Sequence, residues 1–135
     1  MKIQHVAIEY RHQLWEQIEG YFRTALDHAP EDYTLEQIKT FVVTGQWLLV
    51  VAVDEQNNIH GAMTLSFVTR PNDRVAFVTG VGGKFIINEN TYSQLVTLVK
   101  GFGATYIEAA GRKSIVRMLR RYGLKEKYTI VGARI

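Results

Sequence analysis

The spacing of apolar residues changes period along this chain, and the order of those changes leaves few folds open. Residues 2–7 read as a short strand. Between 10 and 28, Leu14, Trp15, Ile18, Phe22, Ala25 and Leu26 recur on one face of a 3.6-residue repeat, which predicts an amphipathic helix. Pro30 ends it. Thr34 followed by Gln37 is a capping-box pattern that opens a second helix, with Leu35, Ile38, Phe41 and Val42 inward and Gly45 as its stop. The period then shortens. Trp47 to Val53 is almost unbroken apolar sequence, which marks a strand buried on both faces. A polar turn at Asp54-Glu55-Gln56-Asn57-Asn58 leads into a strand from Ile59 to Val68, and Pro71-Asn72-Asp73 leads into another from Arg74 to Val81. Three neighbouring strands joined by tight turns predict an antiparallel meander.

After the meander come Gly80-Val81-Gly82-Gly83-Lys84 and a helix carrying Tyr92, Leu95, Val96, Val99 and Phe102. Asn88 or Asn90 caps that helix and Gly103 stops it. The strand Thr105–Ala109 follows, and a crossover helix places it parallel to the third meander strand. Gly111-Arg112 opens a last helix with Ile115, Val116 and Leu119 inward, Gly123 ends it, and Tyr128 to Ile135 reads as a final strand. The order is β-α-α-β-β-β-α-β-α-β. It predicts an α/β (α+β) fold whose mixed central sheet joins an antiparallel meander to a βαβ crossover, in a single domain spanning residues 1–135.

Composition narrows the chemistry. The chain has no cysteine, which excludes disulfides, thiolate metal sites and cysteine nucleophiles and fits a reducing compartment. No apolar run approaches the ~20 residues of a membrane span, and Met1 to Val6 lack a signal-peptide core, so a soluble, cytoplasmic protein is expected. His5, His12 and His28 have no metal-ligand spacing, and no metal is expected. A net charge of +3 hides a marked asymmetry. Glu9, Glu16, Glu19, Asp27, Glu31, Asp32 and Glu36 lie early, whereas Arg112, Lys113, Arg117, Arg120, Arg121, Lys125 and Lys127 crowd the C-terminal end, opposed there by Glu126. Such a cluster is either a solvated helix face or a patch for an anionic ligand, a nucleic acid or an acidic protein.

Two blocks carry a family resemblance. The stretch from Leu48 to Ala62, LLVVAVDEQNNIHGA, resembles the hairpin of the GNAT acyltransferase superfamily, in which a turn precedes an Ile-x-Gly-Ala strand start. The block Gly101 to Arg112, followed by Arg117-Met118-Leu119-Arg120-Arg121-Tyr122-Gly123-Leu124, is similar to phage-encoded GNAT-like proteins. The resemblance covers most of the chain and is strongest from Trp47 onward.

This resemblance implies an acyl-CoA-dependent N-acetyltransferase with acetyl-CoA as donor and an amine as acceptor. The pantetheine arm would lie between Val75–Val81 and Thr105–Ala109. Val81, Gly82, Gly83, Lys84 and Arg112 would meet the cofactor, with Glu108 as the base. Burial beside the gap would raise the pKa of Glu108 into a working range; an ion pair with Arg112 or another basic residue is the alternative. His60 is a second candidate base. The position of the family's tyrosine acid is Leu119 here, which leaves Tyr106 or Tyr92 as substitutes. In the family the phosphate-binding glycines enter the helix directly, whereas here Phe85-Ile86-Ile87 intervene, so Gly82-Gly83 also reads as a bulge or a turn of positive φ. These departures imply an alternative: a non-catalytic GNAT-like protein of a phage virion, of its assembly or of host interaction, with a protein partner or self-association. The last helix has neither interleaved aromatics nor a recognition-helix motif, and nucleic acid is not an expected partner.

Overall fold

The expected order of elements is present as far as Tyr122. A computed structural model describes residues 1–28, 32–85 and 87–135, so the helix stop read at Pro30 lies outside the described residues. The elements are β1 (Lys2–His5), α1 (Ile8–Leu26), α2 (Leu35–Val43), β2 (Leu48–Val53), β3 (Ile59–Thr69), β4 (Arg74–Gly83), α3 (Glu89–Gly101), β5 (Tyr106–Ala109) and α4 (Lys113–Leu119), which runs into a 3₁₀ turn at Arg120–Tyr122. The sheet has the order β1-β2-β3-β4-β5. Its first three pairings are antiparallel and β4–β5 is parallel.

Strand β2 shows why its sequence is unbroken apolar. All six of its residues are buried, because helices cover both faces of the sheet at this point. Leu49, Val51 and Val53 pack with Trp15, Ile18 and Phe22 of α1 and with Ile38 and Val42 of α2. Leu48, Val50 and Ala52 point the other way, toward Leu95 and Val99 of α3. Full burial of each such side chain stabilises by about 1.5–3 kcal/mol. Local signals hold the helix starts. Thr34 and Gln37 form both halves of the capping box, and Asn88, not Asn90, caps α3 in a second box with Thr91.

Two polar side chains tie the layers together. Arg11 of α1 is only 4% exposed. Its Nε donates to the Val6 carbonyl at 3.0 Å and its Nη1 to the carbonyls of Val42 (2.9 Å) and Trp47 (2.8 Å). Arg11 Nη2 lies 3.3 Å from His5 Nε2. Burial, and then the Arg11 charge, push the His5 pKa down. On the other face, Gln94 of α3 accepts the outward N–H of Ile3 at 2.8 Å, so a helix side chain takes the place of a sixth strand at the β1 edge.

The expected final strand is not formed. Residues 124–135 have no regular structure, with Ile130 77% and Val131 89% exposed. The alternation of Tyr128 to Ile135 suits a strand, but extended backbone becomes a strand only against a neighbouring ladder, and β5 offers just four residues.

Candidate functional site

Strands β4 and β5 pair only from Val75↔Tyr106 to Val78↔Ala109. β4 then continues alone for five residues, Thr79 to Gly83. The parting coincides with a bulge: Leu65 pairs with Val78 and Thr64 with Gly80, so Thr79 is the extra residue. The Thr79 hydroxyl donates to Oγ1 of fully buried Thr64 at 2.8 Å and fixes the irregularity. Bulges bend a strand and increase its twist, which turns β4 away from β5. Lys84 N donates to His60 O at 2.8 Å, so Gly82 and Gly80 also face β3 in the ladder. By alternation, Val81 and Gly83 direct their backbone N–H and C=O groups toward the side that β5 has left. Val81 is 41% exposed. A gap of this kind accepts an extended ligand that pairs along the strand edge.

The glycine pair has a packing cause. Helix α1 crosses the end of β4 so closely that a Cβ at Gly82 would run into the Tyr21 carbonyl. Gly83 has φ +71, and a Cβ there would sit 2.7 Å from the Tyr21 ring. Positive φ is confined to Gly83, and at Gly82 it is the closeness of α1 that leaves no room for a side chain. The Lys84 N–H is already committed to His60 and is not free for a phosphate.

The start of α3 is equally committed. Asn88 Oδ1 accepts the Thr91 N–H and Thr91 Oγ1 accepts the Asn88 N–H, each at 2.9 Å. Tyr122 stacks on Tyr92 with ring centres 5.2 Å apart and donates its hydroxyl to Ile87 O at 3.0 Å. Burial raises the Tyr92 pKa.

Glu108 lies one residue before the parting, and of its two readings, raised base or ion pair, the ion pair is the one seen. Arg70 donates to both of its carboxylate oxygens, at 2.8 and 2.9 Å, and Lys127 adds a third bond of 2.8 Å. The partners are Arg70 and Lys127, not Arg112. The Arg70 hydrogen bonds first, then that of Lys127, hold the carboxyl at about 2. The expected rise is therefore corrected to a fall, and a carboxylate so clamped is a poor base at neutral pH. Tyr106 sits under the Lys127 ammonium, 4.8 Å from ring centre to nitrogen, at the end of β5 away from the parting. It shares a shallow cavity of about 220 Å³ with Arg70, Asp73, Val75 and Lys127. The second candidate base, His60, lies 2.7 Å from Asp54. That hydrogen bond, with backbone N–H groups of Asn58 and Gln56, holds the Asp54 carboxyl at about 2 and closes the β2–β3 turn. Arg112 is exposed and precedes α4 without a side-chain cap.

A pH profile tests the clamp. The lowered pKa of Glu108 means that its contribution to stability is complete above the ordinary value of 4.5 and is lost as pH falls toward about 2. Thermal melts across that interval are expected to show the protein losing stability, with a shallower decline in Glu108→Gln. Identical slopes would show that the clamp carries no stability.

No model of a known protein family matches the chain, and no curated protein matches it. Solved structures do. An aminoglycoside acetyltransferase from an uncultured soil metagenomic sample superposes with a TM-score of 0.69 at 10% identity, covering 99% of this chain and 97% of its own. The chain has the GNAT acetyltransferase fold. A ribosomal-protein-alanine N-acetyltransferase from Brucella melitensis biovar Abortus gives 0.67 at 8% identity, with both chains fully covered. A predicted acetyltransferase from Clostridium acetobutylicum, solved with acetyl-CoA, gives 0.64 at 14% identity over 98% of this chain and 95% of that one. Among the described residues of this GNAT-fold chain, no helix is long and apolar enough to cross a membrane, and no group of three or more His, Asp or Glu is placed to hold a metal ion.

Proposed function

We propose that this chain is an N-acyltransferase that takes the pantetheine arm of an acyl thioester into the gap between β4 and β5. The observation that supports the reading is the end of the β4–β5 pairing beside the Thr79 bulge, which leaves Val81 and Gly83 on an edge that no described strand pairs. The arm is extended and amide-bearing, so it pairs with a strand edge as another strand would. An acceptor amine then attacks the thioester carbonyl. The C–N bond forms, the C–S bond breaks, the amine releases a proton and the departing thiolate takes one up. Lys84 and Arg112 are the cations at the open end of the gap in chain order, one after each parted strand. With Glu108 clamped, the amine's proton passes to solvent at this open site.

Acetyl-CoA is the donor to try first. Calorimetry and thermal shift are expected to show weak, saturable binding with a Kd on the order of millimolar, with amide exchange slowed at Val81 and Gly83. Glu89→Gln is expected to tighten it, by removing an anion from the first turn of α3. No heat and no shift with any pantetheine-bearing thioester, acetyl-CoA and acetyl-pantetheine at millimolar concentration included, would refute the reading. The second reading is a non-catalytic GNAT-like scaffold, with the phage setting that the sequence resemblance implies. It is favoured by the clamped Glu108 and by Leu119 standing where the resembled enzymes carry a tyrosine. A chain of that kind binds a protein partner or itself and leaves acetyl-CoA unconsumed.

A further inference from the structure

Among the described residues, the start of α3 beside the gap is a poor seat for the nucleotide of coenzyme A. A nucleotide's phosphates need free N–H groups at a helix start and net positive charge. At the start of α3 the Asn88–Thr91 box already uses donors. Glu89 puts an anion in the first turn. Tyr122 roofs the approach through its stack on Tyr92 and its bond to Ile87 O.

Apart from Lys84, the positive charge gathers at the start of α4 and along it, and α4 leaves β5 at the end where the gap opens. Arg112, Lys113, Arg117, Arg120 and Arg121 are all exposed, and among the described residues only Arg120 has a carboxylate partner, Glu126. No residue of α4 is buried, and Met118 stands 37% exposed among the charges. At 1.5 Å per residue, the stretch from Arg112 to Arg121 spans about 14 Å. That is too long for one diphosphate and suits the face of a protein. A basic rim around an exposed apolar side chain selects an acidic partner with an apolar contact of its own.

We infer that the acyl group reaches this site on the phosphopantetheine arm of an acidic carrier protein that docks on α4, and not on free coenzyme A. The inference rests on the gap reading proposed above. The acyl carbon leaves the arm's sulfur for the acceptor nitrogen, so one C–S bond breaks and one C–N bond forms. The proton lost by the amine balances the one that converts the thiolate to the thiol carried away.

The test is a binding series at low salt with the purified chain. Its ligands are an acidic acyl carrier protein in apo, holo and acetylated forms, acetyl-CoA, acetyl-pantetheine and a single-stranded DNA oligonucleotide. The acetylated carrier is expected to bind at least about tenfold more tightly than acetyl-CoA, the apo carrier less tightly than the holo form, and all carrier binding to weaken with salt. The double variant R117E/R121E is expected to lose about tenfold or more of carrier affinity while acetyl-pantetheine binding is unchanged. R117Q/R121Q serves the same purpose if charge reversal lowers the melting temperature. Acetyl-CoA binding as tightly as the acetylated carrier would overturn the inference and leave the gap reading standing. So would DNA displacing the carrier at lower concentration, which would give α4 to nucleic acid. Failure of every pantetheine-bearing ligand would overturn both.

Discussion

Replacing Arg11 by methionine is expected to lower stability by about 3–5 kcal/mol, measured by urea unfolding, and to drop the melting midpoint by about 10–18 °C. Methionine keeps much of the buried stem and removes the guanidinium fork. The carbonyls of Val6 after β1, Val42 in the last turn of α2 and Trp47 just before β2 then lose the guanidinium, and Val42 keeps a backbone N–H, that of Gly45 at 3.2 Å. A buried acceptor left without a donor costs about 1–3 kcal/mol, and Val42 loses in addition a cation that complements the helix C-terminus. No carboxylate faces Arg11 among the described ion pairs; carbonyl dipoles and the His5 ring surround it. Arg11→Lys is expected to recover only part of the loss, because a single ammonium cannot reproduce a fork that reaches separate acceptors. A loss under about 1 kcal/mol for Arg11→Met would show that water replaces the fork.

Gly82→Val is expected to cost about 3 kcal/mol, for a different reason. Its new side chain meets the backbone of α1 at Tyr21, and backbone cannot swing aside as a flexible side chain can. To make room, α1 must lift from β4, which also disturbs the stack of Trp15 and Phe22, rings 5.8 Å apart, beneath it. Gly20→Ala is the control. It lies in the interior of α1 with nothing within 4 Å of the added methyl, and it is expected to stabilise by about 0.5–1 kcal/mol. Equal effects for the two substitutions, read from the same urea melts, would contradict the close crossing of α1 over β4.

What was legible in the sequence was local. The Thr34–Gln37 box, the meander and the doubly buried β2 all depend on neighbours within a few residues, and all are present. What was not legible depends on register between distant segments. Glu108 meets Arg70 because one strand pairing carries the β3–β4 hairpin alongside β5, a relation that spacing along the chain does not encode. The glycine pair answers to Tyr21, some sixty residues earlier. Arg11 reads as a polar position on a helix and proves to be buried, because three chain segments end around it. Tyr128 to Ile135 carry strand-like alternation with no ladder beside them. The sequence outlines the candidate gap only as the space between two strands. The bulge that opens it rests on one threonine hydroxyl bond that no pattern of apolar residues announces.

The Gln94 contact has a consequence for how this sheet can grow. With the outward N–H of Ile3 taken by a helix side chain, the β1 rim has one donor fewer for a further strand, which leaves the β5 rim as the better edge. An association built through a single rim uses up that rim on both molecules at once. It therefore stops at a pair, and the stacking of chain upon chain that produces fibres has nowhere to continue.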